Sequence, residues 1–197
     1  NPGLYSWRML NKFKSSKLFR FRGCIVNIYI ENVVSSVTFP HPLDLDVITK
    51  VIPAKRHKQR FTGTVCRISR PPATILLFAS GKCVCTGVKS EEEAKAAVSK
   101  LVSELREKGV RVGDPEVSVQ NVVVSASIGF TINVEKVAEK YFGHYEPEKF
   151  PGAIIHDNGK TFLIFANGKV VCVGSKTIDE AVLAINDLAK KLVDFLL

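Results

Sequence analysis

The feature that most constrains this chain is a stretch that occurs twice: Leu77-Phe78-Ala79-Ser80-Gly81-Lys82-Cys83-Val84-Cys85-Thr86-Gly87-Val88-Lys89. It returns 87 positions later as Ile164-Phe165-Ala166-Asn167-Gly168-Lys169-Val170-Val171-Cys172-Val173-Gly174-Ser175-Lys176, with eight of thirteen residues identical. β-rich residues flank Ser80-Gly81 and Asn167-Gly168, so each copy predicts a hairpin. A helix start follows each: Ser90-Glu91-Glu92-Glu93 and Thr177-Ile178-Asp179-Glu180 both pair a hydroxyl with a carboxylate three residues on, which satisfies free backbone donors. The chain therefore reads as a duplicated unit.

The remaining segments repeat as well. Ile28 to Phe39 alternates, with Asn32, Val34, Ser36 and Thr38 on one face and Val33, Ser35, Val37 and Phe39 on the other, which predicts a strand with two usable faces. Leu43 to Ile52 has helical spacing and Phe61 to Ile68 reads as a strand. After the first hairpin, Ala94, Ala97, Val98, Leu101, Val102 and Leu105 form a stripe at helical period, and Gly109 suits its end. Val117 to Ile128 restarts the series, where Asn121-Val122-Val123 echoes Asn32-Val33-Val34 at an offset of 89. Val134 to Tyr141 predicts a short helix, and Ala181, Ala184, Ile185, Leu188 and Leu192 the inward stripe of the last one. The turn around His156 to Lys160 reads as two residues shorter than its counterpart, which accounts for the later offset of 87. The expected organisation is a flexible basic arm over 1–27, then repeats over 28–112 and 113–197. Each repeat would be α+β, with helices covering one face of an antiparallel sheet.

Charge divides the chain unevenly. Its net +9 comes from +6 in residues 1–30, +5 in 31–110 and −2 in 111–197. A basic balance favours a polyanionic partner. Five cysteines, Cys24, Cys66, Cys83, Cys85 and Cys172, are odd in number and sit in apparent strands, which suits reduced, buried residues. Cys83 and Cys85 share a strand face, but no second ligand pair at zinc spacing accompanies them. Asp44 and Asp46 lack a third metal-spaced partner, and His41, His57, His144 and His156 fall in loop-like or helix-edge segments. No enzymatic activity, metal or cofactor is expected.

Parity places Leu76 and Phe78 on one face of their strand and Leu77 on the other, so both faces are apolar although helices can cover only one. Uncovered apolar surface marks a binding site. Arg60, Arg67, Lys82, Lys89, Lys169 and Lys176 border it, as phosphate contacts would. A dimer or domain interface is the other reading of such a face.

From about Tyr29 to Val193 the chain resembles the TATA-box-binding protein family. The segments that carry the resemblance are Ile30-Glu31-Asn32-Val33-Val34-Ser35, Leu77 to Lys82, Val84-Cys85-Thr86-Gly87, Val119-Gln120-Asn121-Val122-Val123, and Tyr145-Glu146-Pro147-Glu148-Lys149-Phe150-Pro151-Gly152. The resemblance implies a two-fold pseudo-symmetric saddle, one curved antiparallel sheet with helices on its convex face. It implies recognition and bending of A·T-rich TATA-box promoter DNA through the minor groove. Phe61, Phe78, Phe150 and Phe165 take the place of the wedging phenylalanines, and Asn32 and Asn121 of the central amides. Val34, Val84, Val123, Val171, Leu76 and Leu163 take the place of the apolar floor, beside the base-contacting Thr86. Glu146 and Glu148 match the contact for transcription factor B, so factor B, the RNA polymerase pre-initiation complex and, in the free state, a second copy are the implied partners. Work at the archaeal nucleoid is implied by Ile30-Glu31-Asn32 and the lack of a long low-complexity N-terminal region; a eukaryotic source would place it in the nucleus.

Two positions depart from the family pattern. Val173 stands where a threonine such as Thr86 is expected, and His156 where an arginine such as Arg67 is expected. They leave open a paralogue without TATA selectivity that works through protein partners, and they predict that the first repeat dominates DNA affinity.

Overall fold

A computed structural model describes residues 16–21, 24–57 and 62–197; Phe61 and Arg60 lie outside the described residues. In chain order the elements are β1 (Ser16–Phe21), β2 (Cys24–Thr38), α1 (Leu45–Val51), β3 (Ala54–His57), β4 (Gly63–Ser69), β5 (Pro72–Phe78), β6 (Lys82–Val88), α2 (Glu91–Glu107), β7 (Glu116–Ser127), α3 (Val134–Lys140), β8 (Gly152–Asp157), β9 (Lys160–Phe165), β10 (Lys169–Ser175) and α4 (Ile178–Leu192), closed by a 3-10 turn at Val193–Phe195. The chain forms two compact units. One is Glu31–Val122, and the other joins the described residues up to Ile30 to Val123–Leu197.

In the Glu31–Val122 unit the strand order is β3-β4-β5-β6-β2, with the first part of β7 beside β2. The pairings β3–β4, β4–β5, β5–β6 and β6–β2 are antiparallel. Helix α2 packs on β4, β5 and β6, and α1 on β3 and β4. The interior this creates is filled by Val33, Val37, Cys66, Ile75, Leu77, Cys83 and Cys85 from the strands. All six residues of the predicted α2 stripe meet them there, fully buried. Each large aliphatic side chain so buried contributes roughly 1.5–3 kcal/mol.

The second unit repeats the plan, with β7-β10-β9-β8 in order. Helix α4 packs on β10 and α3 on β8, and β1 pairs antiparallel with the first half of β2, Ser16 opposite Tyr29. In α4 the buried set is Ala181, Val182, Ile185, Leu188, Ala189 and Leu192; Ala184, expected inward, is only half-buried, because the packed stripe is one residue wider on its other side.

Local chemistry fixes the elements. Asp44, Ser90, Asn133 and Thr177 cap α1, α2, α3 and α4 through side-chain oxygens that accept backbone N–H bonds. The Glu of each predicted capping box accepts from the residue before the cap: Lys89 N–H donates to Glu93 at 2.8 Å and Lys176 N–H to Glu180 at 2.7 Å. Gly81 (φ +84°) and Gly168 (φ +79°) close the repeated hairpins, where Phe78 and Phe165 carbonyls accept their N–H groups at 3.0 and 2.9 Å. A Cβ at Gly81 would lie 2.5 Å from the His41 carbonyl oxygen, and one at Gly168 would lie 2.1 Å from that of Phe130. Glycine is therefore required twice over at each turn, by conformation and by space.

Two strands were not visible in the sequence. β3 lies in Pro53 to Lys58, a charged run with no alternation, and β1 lies within the segment read as a basic arm. The spacing difference between the repeats also resolves differently from expectation. The first hairpin pairs Gly63 with Phe78 through Ser69 with Pro72, and the second pairs Gly152 with Phe165 through Asp157 with Lys160. Both turns contain two residues, so each arm of the second hairpin is one residue shorter and the turn itself keeps its length. Asn158 (φ 49°) and Gly159 (φ 73°) give that turn its left-handed pair.

Candidate nucleic-acid interface

Strand alternation puts every second side chain on the face that no helix covers. In the Glu31–Val122 unit these include Asn32, Val34 and Ser36 of β2, Val84 and Thr86 of β6, Thr74, Leu76 and Phe78 of β5, Val65 and Arg67 of β4, and Val119 and Asn121 of β7. In the other unit they are Val123 of β7, Val171 and Val173 of β10, Thr161, Leu163 and Phe165 of β9, and Ile154 and His156 of β8. The expected floor residues Val34, Leu76, Val84, Val123, Leu163 and Val171 thus all lie on the helix-free face of their unit, each half-buried because neighbouring strands shield one another. Asn121, at the repeat position of Asn32, is half-buried. Val65, Thr74, Ile154 and Thr161 belong to the same faces and were missed; period-two counting outward from Arg67 and His156 finds them.

Phe150 and Phe165 form a ring pair with centroids 5.6 Å apart and planes at 64°. The arrangement is edge to face, the preferred geometry of two quadrupoles. Gly152 makes room for it: a Cβ there would lie 2.9 Å from Phe150 and 3.0 Å from Phe165. Phe150 is delivered by a turn in which the Glu146 carbonyl oxygen accepts from both Lys149 N–H and Phe150 N–H, each at 2.9 Å. Both rings remain partly open to solvent. In the other repeat Gly63 pairs with Phe78 as Gly152 does with Phe165.

The amide of Asn32 is held in one orientation. Its Oδ1 accepts from Gly87 N–H at 2.8 Å, and its Nδ2 donates to Thr86 Oγ1 at 2.9 Å. A backbone N–H can only donate, so this network assigns the amide flip. One Nδ2 hydrogen is spent on Thr86, and among the described residues no acceptor is found for the second. Gly87 (φ +88°) sits at an irregularity in the β2–β6 ladder that brings its N–H to Asn32. Gly174 (φ +104°) has the same conformation in β10, but Val173 offers no hydroxyl there.

The border cations differ in freedom. Arg67, Lys82, Lys169 and Lys176 are exposed. Lys89 is tied down, its Nζ donating to the Glu31 carbonyl oxygen at 2.6 Å. His156, opposite Thr161 in the ladder, has its Nδ1 3.0 Å from Thr161 Oγ1 and its ring exposed. Arg67 faces Thr74 in the equivalent pair. The hairpin carrying His156 is anchored to α4 by Lys160–Glu180 at 2.5 Å and by Lys191–Asp157. The Lys160 hydrogen bond, then the Lys176 N–H, hold the Glu180 carboxyl below its ordinary range, and the Asp157 hydrogen bond raises Lys191.

The two acids before Phe150 are unlike. Glu146 is bracketed by His144 Nε2 at 3.0 Å and by Lys149. Glu148 is exposed and forms no ion pair among the described residues. The thiols of Cys66, Cys83, Cys85 and Cys172 are all buried and unpaired by disulfides, and burial pushes Cys66 and Cys85 up to about 11. None lies on the helix-free face. Among the described residues no helix is long and apolar enough to cross a membrane.

Comparison with known proteins agrees with this geometry. The family described as transcription factor TFIID, or TATA-binding protein, matches residues 27–108 and again 116–195. A TATA-box-binding protein of Methanococcus maripaludis strain C7 is 39% identical over 169 residues, covering 84% of this chain and 93% of that protein. One from Archaeoglobus fulgidus is 41% identical over 174 residues, covering 84% and 94%. Among solved structures, Methanococcus jannaschii TBP is similar with a TM-score of 0.77 at 36% identity, covering 85% of this chain and 98% of that one. With the repeated hairpins, the helix-free apolar faces and two matched segments spanning most of its length, the chain belongs to the TATA-binding protein family of transcription factors.

Proposed function

We propose that this protein recognises A·T-rich, TATA-box promoter DNA through the minor groove, bends it and so nucleates transcription initiation. The observation that carries the reading is the row of half-exposed apolar side chains under no helix, ending on the Phe150–Phe165 pair. Apolar wedges that unstack base steps are a known device of this very family. Phe150 and Phe165 form one wedge, Phe61 and Phe78 the other. Burying a Phe is worth roughly 1.5–3 kcal/mol, and less for rings already half covered, so phosphate contacts must tip the balance. Arg60, Arg67, Lys82, Lys89, Lys169 and Lys176 supply them; about six neutralised phosphates correspond to a log–log salt slope near −5.

Asn32 and Asn121 address the adenine N3 and thymine O2 acceptors, the only hydrogen-bonding groups an A·T pair shows in that groove. The pinned amide of Asn32 supports this role, since its spare hydrogen needs an acceptor and finds one without reorganising. The valine and leucine floor disfavours G·C, whose exocyclic amine would be buried without a partner. The first repeat carries more of the affinity, because Val173 and His156 leave the second with fewer polar contacts. Glu146 and Glu148 receive transcription factor B, through which the complex reaches the RNA polymerase; the apolar face also serves self-association when DNA is absent. The shared name of the relatives favours TATA recognition over a paralogue that has lost it.

A footprint of the purified protein on an A·T-rich promoter, with scrambled duplex as competitor, tests the reading. Protection centred on the A·T tract that scrambled DNA fails to displace is the expected result. Equal competition by both duplexes overturns it.

A further inference from the structure

We propose that Phe142 is an apolar anchor for the protein partner that docks at the Glu146–Glu148 loop. Phe142 is 99% exposed and holds φ +50°. Either feature alone is unremarked on a protein surface; together they are not. Left-handed backbone is strained for a bulky residue with a Cβ, and full exposure returns no burial for the strain.

The local structure shows why the strain falls on this residue. Helix α3 ends in a motif where Phe142 N–H donates to the Glu139 carbonyl oxygen at 3.4 Å and Gly143 N–H to that of Ala138 at 2.8 Å. Such an ending puts its left-handed residue just past the helix, where glycine or asparagine is usual. The glycine comes one position later, and it is needed there: a Cβ at Gly143 would lie 2.6 Å from both the Ile154 carbonyl oxygen and the Ile155 side chain. The packing demand of the helix end is met by Tyr141, whose ring lies 6.2 Å from that of Phe195. Phe142 therefore serves nothing inside its unit. Uncompensated strain of this kind points to function.

Its surroundings name the occupant. Gly143 rests on β8, His144 bridges to Ile154 by reciprocal 2.8 Å bonds, and His144 reaches Glu146 at 3.0 Å. The anchor and the acidic loop are thus one segment fastened to β8, with an aromatic knob at one end and the exposed carboxylate of Glu148 at the other. A partner that fits presents an apolar socket bordered by a basic side chain. This rests on reading the acidic loop as the transcription factor B contact, and factor B is the probe.

The test measures factor B recruitment to the preformed protein–TATA duplex complex, with DNA bending and thermal unfolding recorded for every variant. Phe142→Ala and Phe142→Gly are expected to weaken recruitment about tenfold or more, as loss of an aromatic hot spot does, with bending unchanged. Phe142→Gly is expected to unfold no earlier than the parent, since glycine relieves the strained backbone; a purely structural Phe would give the opposite. Unchanged recruitment by both variants while Glu148→Ala loses it overturns the anchor and leaves the acidic contact standing. Lost recruitment by the Phe142 variants alone keeps the anchor and removes the acidic contact. Clearly earlier unfolding of Phe142→Gly also overturns the proposal.

Discussion

Asn32 donates one amide hydrogen to the hydroxyl of Thr86, at 2.9 Å, and is thereby held in one orientation on the helix-free face. Thr86→Val copies into the first repeat what Val173 has done in the second. Loss of one such bond, worth about 1 kcal/mol, should reduce affinity for a TATA duplex roughly fivefold and narrow the gap to a G·C-interrupted one. A competition gel shift with the two duplexes measures both; an unchanged gap would show that Thr86 does not hold the reader in place.

Wedges and phosphate contacts should separate experimentally. Phe165→Ala removes half of the Phe150–Phe165 pair and is expected to abolish stable bending in a fluorescence-transfer assay. Lys169→Ala, at an exposed position on the neighbouring strand, should leave bending intact and flatten the salt slope by about 0.9. Equal bending by the two variants would sink this division of labour.

How much of this could be read without coordinates depends on what encoded it. The alternation of β2 and the stripe of α2 fix faces by period alone, and both agree residue for residue with the buried sets. Val65, Thr74, Ile154 and Thr161 share that logic and needed only to be counted. Other features depend on neighbours distant in sequence. That the Lys89 ammonium is held by the Glu31 carbonyl oxygen could not be inferred from its match to Lys176 at the same repeat position. Nor could β3, whose strand character comes from pairing with β4 and not from its own charged residues.

Hairpin glycines offer a test of space against conformation. Gly159 and Gly168 have similar positive φ, but nothing lies within 4 Å of a Cβ at the first, and the Phe130 carbonyl oxygen lies 2.1 Å from one at the second. Gly159→Ala should therefore cost about 1–2 kcal/mol, the left-handed penalty alone. Gly168→Ala should cost clearly more, since backbone must move. Thermal or denaturant unfolding of the two variants checks the order; a Gly159 cost equal to or above that of Gly168 contradicts it.

Glu180 links stability to acid. Its carboxyl titrates below the ordinary range, chiefly through the Lys160 hydrogen bond. A depressed carboxylate contributes stability that is present above its unfolded value, about 4.3, and is lost as pH falls through the folded one. Glu180→Gln is thus expected to be less stable at pH 7, by about 1 kcal/mol because the side chain is 42% exposed and screened. The variant should converge on the parent below pH 4 in chemical denaturation. A constant difference from pH 7 to pH 3 would deny the linkage.

The two-residue turn shared by hairpins of unequal reach sets a rule for how these repeats can change length. Removing a single residue from one arm would rotate everything beyond it to the wrong side of the sheet, sending Ile155 outward and Ile154 in. Matched removal, one from each arm, passes unnoticed at the base, where Phe165 and Gly152 still meet. Insertions and deletions here are in effect quantised in twos, and a designer who grafts a longer tip onto the second repeat must honour that parity.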